Sequence, residues 1–142
     1  MNWPECYIGI PHKEFGRDRD GADCWGLVRL VLLEQCKLFL PRYDTVSPAD
    51  YAAMIEAKRK TPEWLGVIEP AMQPFDLVRM WTTVKTKDGR IRAPVHIGIA
   101  APGKNILHMQ EGDSAICEPF AAIKHRVVEI VRHRGLTEHG TV

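Results

Sequence analysis

The sequence lacks the spacings that announce a metal centre: it has no CxxC pair, no HExxH and no HxH. Its four cysteines, Cys6, Cys24, Cys36 and Cys117, are scattered along the chain. That fits neither a zinc knuckle nor the dense disulfide framework of a small secreted domain, so free thiols are expected. Also missing is an apolar run approaching the roughly 18 residues a membrane-crossing helix needs, so no membrane insertion is expected. The N-terminus, MNWPECYIGIPHKEF, has no basic segment leading into an apolar core. The expectation is synthesis in a cytoplasm without self-export. An excess of charge of one sign is absent too: 19 Lys plus Arg against 18 Asp plus Glu leave a net charge of +1. No global field attracts a polyanion, which argues against nucleic acid as partner.

What is present suffices for one domain. With 142 residues, 45% of them hydrophobic, the chain can bury a single core, so one domain over 1–142 is expected, frayed from about residue 136. From Cys24 to Leu40 apolar residues fall on nearly every face, too long a run for a strand, which predicts a largely buried helix ending before Pro41. Asp20 or Asp23 can cap it, placing Cys24 in its first turn. Ser47, Pro48 and Asp50 signal a second helix reaching about Lys60. Beyond it the period becomes two. FDLVRMWTTVKT, APVHIGIAA and ILHMQEG read as strands joined by turns at KDGR and PGKN, and RVVEIVRHR as a closing strand. Helices first and an antiparallel meander after them predict an α+β fold.

A thiol becomes a nucleophile near neutral pH when its surroundings favour thiolate and a base can carry its proton to the leaving group. Cys24, at a helix start, has the partial positive charge and unpaired N–H groups for the first; Gly16, Gly21 and Gly26 let the backbone turn and a substrate approach. The competing reading is one more buried thiol, as expected for Cys36. For the base, His96 lies mid-strand, sharing its face with Gly98 and Ala100, which leaves space above the ring. A hairpin centred near Gly103 brings His108 beside Ile97 or His96, able to hold the imidazole by one nitrogen. The other histidines, His12, His125, His133 and His139, read as surface residues. Zinc on His96, His108 and Cys24 or Asp23 lacks a supporting spacing, and GRDRDG lacks the rest of a calcium loop, so it reads as a turn and no metal is expected.

In order along the chain, RDGADCWGLVRLV, DLVRM, HIGIA and ILHMQ resemble the landmarks of the NlpC-type family of papain-like cell-wall endopeptidases, from about Gly16 to about Gly112. The resemblance implies an NlpC-type domain with N-terminal helices on an antiparallel sheet. It also implies Cys24 as nucleophile, His96 as base, His108 as orienting residue, no cofactor, and peptidoglycan stem peptide as substrate. Asp23 is then expected to brace the helix start. Trp25 stands where many members have serine, and the Asp-Cys-Trp-Gly form resembles the branch attached to phage tails. Phe75 stands where glycine usually precedes DLV. The tyrosine that the family places near the oxyanion has two stand-ins: Tyr7, given a longer intervening loop, and His12, nearer the expected spacing.

Peptidoglycan lies outside the cytoplasmic membrane, and neither a leader nor a wall-binding module is read in the sequence, so delivery on a phage tail tip, with other tail proteins as partners, is the expected setting. Action would be in the periplasm or wall, opening a path for DNA. Two alternatives stay open: a non-catalytic tail hub or adaptor, and an amidase or acyltransferase using the same centre. Arg17, Arg19 and Lys13 are candidate partners for substrate charges at the cleft mouth.

Overall fold

The computed structural model describes residues 2–41 and 63–138; the helix expected over 47–60 lies outside them. A small hairpin, β1 (Arg17–Asp18) and β2 (Gly21–Ala22), precedes helix α1 (Cys24–Cys36). There follow β3 (Trp64–Val67), β4 (Leu77–Thr86), β5 (Gly89–Ala101), β6 (Asn105–Met109) and β7 (Ala115–Pro119). The chain ends with a short helix α2 (Phe120–Ile123), β8 (Val127–His133) and α3 (Arg134–Glu138). Strands β3 to β8 form one six-stranded antiparallel sheet in the order β3-β8-β4-β5-β6-β7. The α+β class and the strands over DLVRM, HIGIA and ILHM are as the alternation predicts.

Four expectations need correction. The helix stops at Cys36, not Leu40: Lys37 takes a left-handed conformation (φ 56°) and its N–H and that of Leu38 turn back to the carbonyls of Leu33 and Leu32. Such a cap ends a helix without proline. RVVEIVRHR forms the last strand, as expected, but it does not extend the meander: it lies between β3 and β4, and β7 forms the far edge. GRDRDG is more than a turn, since Arg17 and Asp18 pair with Ala22 and Gly21. Fraying does not begin at residue 136: α3 continues to Glu138 and Leu136 is buried, and the rest of the expected tail lies outside the described residues.

Helix α1 lacks a polar face, and both the helix and the sheet explain why. Leu27, Val28, Val31 and Leu32 are wholly buried in one cluster with Val95, Ile97, Ile99, Leu107 and Met109 of β5 and β6. The alternate residues of the same strands, Ala100 and Ile106, join Val78, Met80, Phe120, Ile123 and Ile130 in a second cluster. A half-buried antiparallel sheet would have one apolar face; apolar residues on both faces mark a sheet covered twice. The aspartate of DLVRM is structural. Asp76 is fully buried and takes a two-pronged ion pair from Arg132 (2.7 and 2.9 Å), tying the start of β4 to β8.

Phe75 holds the conformation that explains why glycine suits this position. Its φ is +76°, and its ring stacks on Trp3 at 4.8 Å and 18°. The stack offsets the roughly 1–2 kcal/mol that a left-handed backbone costs a residue with a β-carbon.

Candidate active site

The glycines before and after the aspartate-cysteine pair have a role that differs from the one expected. A β-carbon on Gly26 would lie 2.0 Å from the Gly16 carbonyl oxygen, and one on Gly16 would lie 2.3 Å from that of Gly21. None of the three has positive φ. They allow the β1–β2 hairpin to lie directly on the first turn of α1. Asp23 is the cap: its Oδ1 accepts the Gly26 N–H at 2.8 Å and pairs with the buried Arg17 at 2.7 Å, while Oδ2 accepts the Phe15 N–H at 3.2 Å. Asp20 is not the cap; its N–H donates to Asp18. This packing fixes Cys24 as the first residue of α1.

Cys24 meets the sheet at the strand carrying His96. Its thiol points to the carbonyl of Val95, Sγ to oxygen 3.9 Å, and Ile97 and Trp25 present backbone N–H groups to the sulfur. Cys24, His96 and His108 line one cleft of about 630 Å³, together with Asp23, His12 and Glu118. One wall is the extended β4–β5 hairpin at Thr82, Thr83, Val84 and Lys85; Glu14, Phe15 and Glu111 contribute to the rest.

The β5–β6 hairpin turns about Gly103, and its register sets His108 opposite Gly98, one residue further along than expected. The two imidazoles therefore meet on the diagonal, within reach of long side chains on adjacent strands. His96 Nε2 lies 2.9 Å from His108 Nδ1, with the rings nearly perpendicular. Gly98 does not leave empty space above His96 as its position suggested. A β-carbon there would lie 2.7 Å from Ile106 and 3.0 Å from the β-carbon of His108, so the missing side chain is what lets His108 sit at this level.

A fourth residue completes the chain of contacts. His108 Nε2 lies 2.6 Å from Glu118 Oε2, delivered by β7, whose residue Ile116 faces His108 in the register. A carboxylate only accepts, so Nε2 of His108 carries its proton and Nδ1 of the neutral ring is left as an acceptor. His96 must then donate through Nε2, which leaves its Nδ1 basic. Glu118 thus sets the tautomer of two rings in series. Sequence reasoning missed it because β7, ending in proline, is short and follows a turn; the signal was ILHMQ, whose buried histidine needs a second partner.

Burial governs the charge state. It pushes the Cys24 thiol up to about 12, aided by the negative charge of Asp23; the Ile97 and Trp25 N–H groups and Arg17 oppose this without prevailing. The expectation that the helix start lowers this pKa is therefore corrected. Burial also holds His96 down to about 3, with His108 and the cation of Arg126 acting in the same direction. His108 is lowered, again first by burial, although Glu118 opposes it. Thiol and imidazole, lining one cleft, both rest neutral.

Among the remaining expected site residues, His12 lines the cleft but Tyr7 and Trp25 do not. Tyr7 is wholly buried, its hydroxyl bonded to Glu34 (2.8 Å) and Gln35 (3.1 Å); Trp25 donates Nε1–H to the Pro41 carbonyl. Arg17 is buried on Asp23, Arg19 lies over the Tyr7 ring and pairs with Glu34, and Lys13 covers Gly21. None of these three cations reaches the cleft. His133 is not a plain surface residue either, since it packs on Trp64 and accepts the Gly135 N–H. Among the described residues no cluster of three or more metal-ligating side chains forms.

This arrangement of helix and sheet is the fold of NlpC/p60 domains. The NlpC/p60 domain of the peptidoglycan hydrolase SagA matches 91% of this chain and 92% of its own, at 22% identity and a TM-score of 0.56. An NLP/P60 family protein described as similar to lipoprotein, from Staphylococcus aureus, gives 17% and 0.58, and an NlpC/P60 family protein from Bacillus cereus 16% and 0.61. Each of these two is matched over 92% of this chain, which spans little more than a third of their length (38% and 37%). No family model and no curated protein matches the sequence.

Proposed function

We propose that the protein is a cysteine peptidase that hydrolyses an amide bond in the stem peptide of peptidoglycan. The observation that carries this reading is the series His96, His108, Glu118, beside Cys24 in one cleft, with contacts of 2.9 and 2.6 Å. A buried structural histidine needs one partner; two rings aligned in tautomer by a carboxylate leave a basic nitrogen, which is what a thiol needs.

Because thiol and imidazole rest neutral, proton transfer accompanies attack. The Cys24 sulfur bonds to the scissile carbonyl carbon while its proton passes to His96 Nδ1. The carbonyl oxygen becomes an oxyanion near the start of α1, whose first N–H groups the helix cannot satisfy itself; the His12 imidazole on the cleft wall is a further donor. His96 then gives its proton to the leaving nitrogen, the C–N bond breaks, and the thioester is hydrolysed by water that His96 deprotonates, restoring the thiol. His108 and Glu118 orient the ring throughout.

The same proposal includes the setting: a phage tail tip carrying the enzyme to the wall, with other tail proteins as partners. Its support is the Asp-Cys-Trp-Gly sequence behind GRDRDG. Among the described residues no helix is long and apolar enough to cross a membrane.

The test is incubation of purified peptidoglycan with the protein, followed by mass spectrometry of released muropeptides, with Cys24→Ala alongside. New peptide ends with the wild type alone are expected and would name the bond; equal release by both would overturn the assignment of Cys24. Absence of the protein from purified particles would remove the tail setting and leave the enzymology standing.

A further inference from the structure

Arg126 is a cation in the cleft that the mechanism above does not use. It ends the single turn Lys124–Arg126 between α2 and β8 and lines the same cleft as Cys24, His96 and His108. The bulge where β8 shifts register against β4, between Arg79 and Met80, sets the strand's entry at this point. The side chain is held by its inner nitrogen: Nε donates to the Trp81 carbonyl at 3.1 Å. Among the described residues Arg126 makes no ion pair, so its two outer NH₂ groups, the fork that suits a carboxylate, have no protein acceptor. Three other buried or half-buried arginines pair with carboxylates: Arg17 with Asp23, Arg79 with Glu129 and Arg132 with Asp76.

Its place relative to the reacting groups is also defined. Across the sheet Met80 pairs with His96 on one side and on the other with Val127, the residue that follows Arg126; the charge of Arg126 accordingly acts on His96 and His108. Arg126 is therefore on the imidazole side of the cleft, where the leaving amine must be to receive its proton. The carboxylates Glu14 and Glu111 also line the cleft, and Lys85, exposed on the hairpin, is its only other lysine or arginine among the described residues.

We propose that Arg126 is a specificity-determining residue that binds a free carboxylate on the leaving residue of the substrate. The inference rests on the peptidase reading for which side is the leaving side. It assigns the substrate to peptides whose newly freed amine belongs to a residue with an unblocked carboxylate. Binding it places the scissile nitrogen at His96 and neutralises the one cation that acts on that ring.

The experiment uses the full chain carrying Cys24→Ala, which binds without turnover, and two probes: the tripeptide L-alanyl-γ-D-glutamyl-L-lysine as free acid and as its C-terminal carboxamide. Calorimetry at neutral pH is expected to show the acid bound at least about ten-fold more tightly than the amide. Adding Arg126→Gln is expected to abolish that difference, and Arg126→Lys to retain part of it, which separates loss of charge from misfolding. Equal binding of the two probes, no binding of either, or a preference that survives Arg126→Gln would overturn the proposal. Cleavage of both probes by the wild type together with equal binding would sink the carboxylate site and spare the peptidase. An Arg126-dependent preference without cleavage of either probe would do the reverse.

Discussion

His108 donates a hydrogen bond from its Nε2–H to Glu118 across 2.6 Å, and that one bond decides which nitrogen of a different ring, His96, is basic. If Glu118 acts in this way, its removal should slow chemistry rather than weaken binding. Glu118→Ala is expected to lower kcat roughly 10–100-fold, the usual cost of losing a partner that orients a ligand or base, with KM changed little. Glu118→Gln, whose amide oxygen can still accept the hydrogen bond from His108, should recover a large part. Steady-state kinetics on a defined stem peptide would check both, and a rise in KM at constant kcat would contradict the tautomer argument.

A neutral resting thiol makes a counter-intuitive prediction about reactivity. With its pKa pushed up to about 12 by burial, Cys24 should react with iodoacetamide at pH 7 more slowly than exposed Cys6, because thiolate is the reacting species. Peptide mapping by mass spectrometry at short reaction times would read the order. Preferential labelling of Cys24 in the free protein would mean a thiolate–imidazolium pair already exists there.

The same burial predicts how stability varies with pH. The folded-state pKa of His96 lies below its ordinary value of 6.5, so below pH 6.5 the unfolded chain binds the proton that the folded chain refuses. Stability should fall as pH drops from 6.5 toward 3, and His108, shifted the same way, adds to the slope. Cys24 is shifted up from 9.0 toward 12, so the unfolded chain loses a proton first and stability should fall again above pH 9. Each group contributes at most about 1.4 kcal/mol per pH unit within its own window. Urea midpoints from pH 4 to 10 should be highest between about 6.5 and 9, and His96→Gln should flatten the acid limb.

The parts of this site that follow local rules were legible in the sequence. Asp23 as one of two candidate caps, Cys24 in the first turn, and the hairpin pivot at Gly103 all follow from spacing over fewer than ten residues. What was not legible depends on long-range packing. Glu118 reaches His108 only because β7 pairs with β6, and a short strand behind a turn carries little period-two signal. The sign of the Cys24 shift was misjudged because a helix start acts locally while desolvation is set by the whole fold around it. Arg126 lies more than a hundred residues from Cys24 in sequence, at the mouth of a strand that inserts into the middle of the sheet.

The ion pair of Asp23 with Arg17 should be the most sensitive point of the fold near the site, because the two carboxylate oxygens serve three partners. Asp23→Ala removes the Gly26 cap, frees the Phe15 N–H and takes the carboxylate from a guanidinium whose side chain is 1% exposed. Losing one partner of a buried pair typically costs about 3–5 kcal/mol, more than the roughly 1 kcal/mol of a cap alone. Asp23→Asn keeps an acceptor for the cap but not the charge, so its cost should lie between that of the cap and that of the pair. Arg17→Met, which leaves Asp23 as cap without a charge to neutralise it, should cost less than Asp23→Ala. Chemical denaturation of the three variants would order them, and near-equal values for Asp23→Ala and Asp23→Asn would mean that the charge, not the cap, holds the hairpin to α1.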